Sequence, residues 1–263
     1  MKLDVKHLSC QVDHKTLVQD LSFSLEAGQL VGLIGPNGAG KSSLLKTLAG
    51  IYPCQQGQIL VDGVDVGNLS RKAFAQQVAY MQQDPPISFS YRVEALVMTA
   101  RTPYLAWWQQ ESKADKAIAT QAMKETGVYD LRHRTIDSLS GGERQRVFLA
   151  KALAQEASCL LLDEPAAALD LMHAEGLFRL VRKQCQEGHS ALVVVHDLEL
   201  AAKYCSRLIL LSEGRLVADG APLEVLTPEH LREAYGMEAD VYPDAKYGHC
   251  RIYLLEEDEA DAK

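Results

Sequence analysis

The sequence predicts an α/β protein: a parallel sheet covered by helices, interrupted by an inserted helical segment. Two patterns carry this prediction. Short, near-continuous apolar runs at residues 30–34, 160–162 and 191–195 suit strands buried on both faces. Stretches at helical spacing follow them, and this alternation is what brings parallel strands side by side. Residues from about 90 to 155 read as mostly helical, which marks the insertion.

Taken in order, Leu3-Asp4-Val5 and Leu21-Ser22-Phe23-Ser24-Leu25 alternate apolar and polar residues, as half-buried strands do. Ala27-Gly28 turns the chain into the buried strand 30–34. A Gly-rich loop follows, and then a helix over 43–49. Residues 57–66 read as a strand pair around the turn Asp62-Gly63. Ala114, Ala117, Ile118, Gln121, Ala122 and Glu125 give one helix a small-residue face. Ala174, Leu177, Phe178 and Val181 mark one face of another, and 198–204 a short third. Residues 256–263 hold five acids and read as a solvated tail.

At 263 residues the chain is long enough to bury a core without staples. Hydrophobic residues make up 47% and charged residues 24%, which excludes collagenous and globally disordered chains. With 27 basic against 35 acidic residues, the net charge is −8, a poor footprint for nucleic acid. No apolar run approaches the roughly 20 residues that span a bilayer, and Met1-Lys2-Leu3-Asp4-Val5-Lys6 lacks the apolar core of a secretory signal. The six cysteines are scattered without a C-x-x-C pair, so reduced thiols are expected. His249-Cys250, two adjacent metal-ligand types without a partner pair, is weak evidence for a metal site.

The strongest motif is Gly35-Pro36-Asn37-Gly38-Ala39-Gly40-Lys41-Ser42, followed by Ser43, between a predicted strand and a predicted helix. It fits the phosphate-binding pattern G-x-x-x-x-G-K-[ST]. Its glycines let successive N–H groups point into one concavity, and the helix that follows adds its positive end. Lys41 is placed to reach the β- and γ-phosphates, and the Ser42 hydroxyl to ligate Mg²⁺. In Cys159-Leu160-Leu161-Leu162-Asp163-Glu164 an apolar strand ends in two carboxylates, at the strand end where open α/β sheets bind ligands. Asp163 suits the Mg²⁺ shell and Glu164 a general base acting on water. Upstream, Ser140 is a good N-cap for a helix whose first residues, Gly141 and Gly142, leave bare N–H groups, a second anion site.

Leu139-Ser140-Gly141-Gly142-Glu143-Arg144-Gln145-Arg146 resembles the signature motif of ATP-binding cassette (ABC) ATPases, and the other motifs of that family fall in order. Ala79-Tyr80-Met81-Gln82-Gln83 resembles the Q-loop, with Gln83 ahead of Gln82 as its glutamine. The segment from Glu164 through Ala166-Ala167-Ala168-Leu169 to Asp170 resembles Walker B running into the D-loop. Val193-Val194-Val195-His196-Asp197 resembles the H-loop. The resemblance reaches to about residue 240. It implies a P-loop NTPase fold with a RecA-like core, an antiparallel β subdomain and a helical subdomain inserted at about 88–155. Residues 1–240 would form the ATPase domain and 241–263 a C-terminal extension.

The resemblance further implies a head-to-tail homodimer holding two ATPs, each gripped by the P-loop of one copy and by Ser140, Gly141 and Gly142 of the other. Glu164, His196 and Gln83 would act on the γ-phosphate, and Ser42, Gln83 and Asp163 would hold Mg²⁺. Two positions depart from the family pattern. The usual adenine-stacking aromatic is replaced by Val12, with His14 nearby. Ala166-Ala167 stand where the D-loop usually carries two hydroxyls. Residues 93–104 and 226–237 look most like the ATPases of iron-siderophore, haem and cobalamin importers. That branch implies a separate membrane permease, an extracytoplasmic substrate-binding protein and a peripheral place on the cytoplasmic face of the inner membrane. Phe89, Tyr91, Tyr104, Trp107 and Trp108 are expected to form a partly exposed groove for the permease. The alternatives are another importer class, or a non-transport ABC ATPase acting on nucleic acid or ribosomes.

Overall fold

A computed structural model describes residues 1–12, 15–83, 90–244 and 249–255. The chain begins with β1 (Leu3–Val12), β2 (Lys15–Leu25), β3 (Leu30–Ile34), α1 (Lys41–Leu48), β4 (Gln56–Val61), β5 (Val64–Asp65), α2 (Arg71–Gln77) and β6 (Val78–Met81). The helical segment holds α3 (Val93–Met98), a 3-10 stretch (Thr99–Tyr104), α4 (Lys113–Glu125) and α5 (Gly141–Ala154). There follow β7 (Cys159–Leu162), α6 (Leu171–Gln186), β8 (Ser190–Val194), α7 (Leu198–Tyr204), β9 (Arg207–Ser212) and β10 (Arg215–Gly220). The chain then runs through α8 (Pro222–Val225), α9 (Pro228–Tyr235) and the hairpin β11 (Ala239–Asp244) with β12 (His249–Leu254).

The central sheet has the order β10-β9-β3-β8-β7-β6, parallel except for β10. Strand periodicity explains how one sheet serves two cores. Leu30, Ile34, Leu160, Leu162, Ala191 and Val193 face a core shared with α5, α6 and α7. Their neighbours Val31, Leu33, Leu161, Leu192 and Val194 face the other core, with Leu44, Leu45 and Leu48 of α1. That second core is closed by an antiparallel sheet of order β2-β1-β4-β5. Both faces being covered is why the central strands read as continuous apolar runs.

The first two strands are longer than the alternation at residues 3–5 and 21–25 indicates. Register shifts between Val5 and Leu8 and between Leu8 and Cys10 break the period, and His7 and Asp20 take positive φ there. The helical segment is held by two capping boxes, Ser112 with Asp115 and Ser140 with Glu143. Arg101, 4% exposed, is buried between its elements. It donates to Asp115 at 3.1 Å, to Glu156 at 2.9 Å and to the Ala154 carbonyl at 2.9 Å. The C-terminal hairpin crosses the boundary expected at 240/241, and Arg251 on β12 pairs with Glu199 of α7.

Candidate active site

The P-loop leaves the C-terminal end of β3 and enters α1, as the motif requires. Gly40 caps the helix with φ 95°, and β2 passes directly over it: a Cβ there would lie 2.3 Å from the Leu17 carbonyl oxygen. Pro36, Asn37 and Gly38 lie towards solvent and Ala39 is buried. Lys41 is also buried, and its Nζ donates to the carbonyls of Gly35 at 2.7 Å and Pro36 at 2.8 Å. Burial holds its pKa below the ordinary lysine value, opposed by the carboxylates of Glu164 and Asp163. Ser43 sits within the first turn of α1, where its carbonyl accepts from Thr47 Oγ1.

Parallel register brings the second motif alongside. Asp163, 2% exposed, follows β7 and donates its N–H to the Met81 carbonyl at the end of β6. Ser42 Oγ donates to Asp163 Oδ1 at 2.8 Å, and Tyr80 Oη donates to Oδ2 at 3.2 Å. Burial raises the Asp163 pKa, with the Ser42 and Tyr80 hydrogen bonds working against it. Burial, followed by the charge of Asp163, pushes the Tyr80 phenol well above its ordinary value. Glu164 follows with φ 49°. One of its carboxylate oxygens lies 2.5 Å from Gln83 Nε2 and the other 2.6 Å from His196 Nε2. Gln83, Glu164 and His196 therefore meet at the C-terminal edge of the sheet, beside the part-buried Ser42–Asp163 pair.

Ser140 is the N-cap of α5, and its hydroxyl accepts from the Glu143 N–H at 3.3 Å. Gly141 lines a cavity of about 240 Å³ with Gln83, Arg144, Gln145, Phe148, Ala167 and Ala168. None of its lining residues belongs to the P-loop, while Gln83 of the Glu164 cluster does line it. Val12 is half-buried at the tip of the β1–β2 hairpin, paired with Lys15. His14, Phe89 and the acidic tail lie outside the described residues. Trp107 and Trp108 are 92% and 71% exposed, with their rings edge to face at 5.2 Å. Tyr91 is exposed and Tyr104 partly so. Among the described residues no group of three or more His, Cys, Asp or Glu is placed to hold a metal ion, and no helix is long and apolar enough to cross a membrane. Cys250 is buried in β12.

Two residues belong to this site that the motifs did not single out. Tyr80 reaches Asp163 because β6 and β7 pair in register, Tyr80 beside Leu161. Gln145 reaches the Glu164 backbone from α5. Both stand inside motif segments, but only the tertiary contact shows what their side chains touch.

The Ser42 hydroxyl and the Asp163 carboxylate are hard oxygen donors, and with the Gln83 amide near Glu164 they fit a magnesium ion better than a softer metal. A family model described as ABC transporter matches residues 18–167. The cobalamin import ATP-binding protein BtuD of Halobacterium salinarum is 41% identical over 256 residues, covering 97% of this chain and 64% of that protein. The hemin import ATP-binding protein HmuV of Pseudomonas fluorescens is 39% identical over 255 residues, 95% of this chain and 98% of that one. The iron(3+)-hydroxamate import ATP-binding protein FhuC of Bacillus subtilis is 34% identical over 262 residues, 98% and 97% of the two chains. Among solved structures, one described as a metal-chelate type ABC transporter in an inward-facing conformation superposes with TM-score 0.83 at 26% identity, over 98% of both chains. Sequence and architecture agree along nearly the whole length: the chain belongs to the ABC transporter family.

Proposed function

We propose that this chain is the ATP-hydrolysing subunit of a multi-subunit importer, energising uptake of an iron-siderophore, haem or cobalamin-type metal chelate through a separate permease. The observation that carries the reading is Glu164, held between Gln83 and His196 next to the P-loop. The names of the similar import ATP-binding proteins support the cargo class.

ATP binds at the P-loop, where Lys41 leaves the Gly35 and Pro36 carbonyls for the β- and γ-phosphates. Ser42, Asp163 and Gln83 would hold Mg²⁺, which when bound neutralises phosphate charge. Glu164 takes a proton from water as the water oxygen bonds to the γ-phosphorus and the bond to the bridging oxygen breaks. His196, beside Glu164, contacts the γ-phosphate. Val12 offers adenine an apolar contact in place of a stacking ring.

Ser140, Gly141 and Gly142 close on the nucleotide of a second copy, so the working unit is a head-to-tail homodimer. ATP drives closure because the closed state binds it better than ADP. The exposed Trp107, Trp108 and Tyr91 are where the permease docks, since exposed aromatic patches mark partner surfaces. The subunit therefore works peripherally on the cytoplasmic face of the inner membrane, and the permease and an extracytoplasmic binding protein contact the cargo.

Replacing Glu164 by Gln tests this. The variant keeps the side-chain size but takes no proton from water, so hydrolysis falls at least roughly 100-fold while ATP binding persists. Light scattering with ATP shows dimers accumulating. Full turnover in the variant, or trapped complexes that remain monomeric, refutes the reading.

A further inference from the structure

Gln145 is the fifth residue of α5 and only 5% exposed. A buried amide has to satisfy both its ends. Its Nε2 donates to the Glu164 carbonyl at 2.7 Å, and its Oε1 accepts from the Ala168 N–H at 2.9 Å. A carbonyl only accepts and an N–H only donates, so these two partners fix which way the amide points. They are also the two ends of the turn from Glu164 to Ala168. One side chain from the signature helix thus ties that turn shut.

Two further observations say the tie is under demand. Glu164 takes φ 49°, a left-handed backbone that residues with a Cβ avoid unless their surroundings over-determine it. The start of α5 also presses on the same turn. A Cβ on Gly142 would lie 3.1 Å from the Ala168 carbonyl oxygen and 3.2 Å from Leu169 Cδ2. A side chain at 142 would therefore crowd this turn and make its neighbours give way. The first turns of α5 are thus packed and hydrogen-bonded against the segment 164–169.

We infer that Gln145 is a positioning residue that couples the two ATP sites: it transmits the engagement of Ser140–Gly142 with the nucleotide of a second copy to the Glu164 of its own chain. The inference rests on the composite-pocket reading proposed above, in which those two elements serve different nucleotides. When α5 is drawn onto the opposite nucleotide, Gln145 carries the Glu164 backbone with it, and the carboxylate reaches its working place. Occupancy of one site then sets the base of the other, which is a coupling free energy between sites.

The test compares wild type, Gln145→Leu and Gln145→Glu in the full chain. Leucine removes both hydrogen bonds at similar volume. Glutamate keeps an acceptor for the Ala168 N–H but puts a carboxylate oxygen against the Glu164 carbonyl. Affinity for trinitrophenyl-ATP stays within about twofold in both variants, because Gln145 touches no P-loop residue; a general structural defect would lower it. In wild type, ATPase velocity rises with ATP with a Hill coefficient approaching about 2, the number of sites. In Gln145→Leu, kcat falls roughly 10- to 100-fold and the Hill coefficient drops towards about 1. Gln145→Glu moves the same way by less, and it decides the question if the leucine variant does not fold. Wild-type Hill coefficients in the variants, or nucleotide affinity lost in step with kcat, overturn the inference. A Hill coefficient of about 1 in wild type instead removes the composite pocket, and the cross-site link with it.

Discussion

Replacing Arg101 by Met removes a cation buried inside the helical segment and leaves its partners behind. The guanidinium meets Asp115 at 3.1 Å and Glu156 at 2.9 Å, satisfies the Ala154 carbonyl near the end of α5 at 2.9 Å, and lies 4.1 Å from the Tyr104 ring centroid. The partners matter unequally. The Glu156 side chain is half exposed and rehydrates when the cation goes, so its loss is minor. Asp115 is buried and keeps only its Ser112 contacts. Removing one member of a buried pair costs about 3–5 kcal/mol, because the remaining charge is stranded. In a chain of this size each kcal/mol shifts Tm by roughly 2–4 °C, so Tm falls by roughly 6–20 °C. Thermal unfolding followed by circular dichroism measures the shift. The double variant with Asp115→Asn recovers part of the loss, since no buried charge is then left alone. A fall in Tm of less than about 2 °C for Arg101→Met would show that the cluster holds nothing together.

Other perturbations read out separate features. Gly40→Ala forces a Cβ onto the Leu17 carbonyl oxygen at positive φ; strain of roughly 1–3 kcal/mol is expected before the clash is counted, and nucleotide titration shows binding weakened at least about 10-fold. The Ser112 hydroxyl and N–H, with Arg101 adding less, hold the Asp115 carboxyl below its ordinary value. A depressed pKa gives stability that is present above the unfolded carboxylate value near about 4 and lost as pH falls through the folded one. Asp115→Asn therefore flattens the acid limb of a stability–pH curve, and an unchanged limb refutes the assignment. Burial pushes Cys159 to about 11 and Cys185 and Cys205 to about 12, while Cys54 is the one exposed cysteine. Desolvation raises the Cys54 thiol as well, so at pH 8 a disulfide reagent labels Cys54 first by access alone and the other five only on unfolding; a second thiol that reacts as early contradicts that order.

The elements most legible in the sequence were those whose local pattern is also their tertiary role. The run 30–34 is buried on every residue, and the loop after it had to curl between strand and helix. Glu164 and His196 were readable because each ends an apolar strand of one sheet. The β1–β2 hairpin was half-read, because its bulges break the two-residue period on which recognition depends. Strands β9 and β10, helix α9 and the C-terminal hairpin carry no motif chemistry, and their places are set by packing. Arg101 illustrates the limit. An arginine before Thr-Pro looks like a surface residue, and only the convergence of α4 and α5 gives it a buried carboxylate and a carbonyl to hold.

The resting place of the Lys41 ammonium, on two carbonyl oxygens of its own loop, turns the P-loop into a charge threshold. A visiting molecule has to outcompete those oxygens before the ammonium swings out. An uncharged nucleoside offers nothing to draw it, whereas a polyphosphate tail replaces both bonds with stronger ones. On the function proposed above, the phosphate tail is therefore selected before the base.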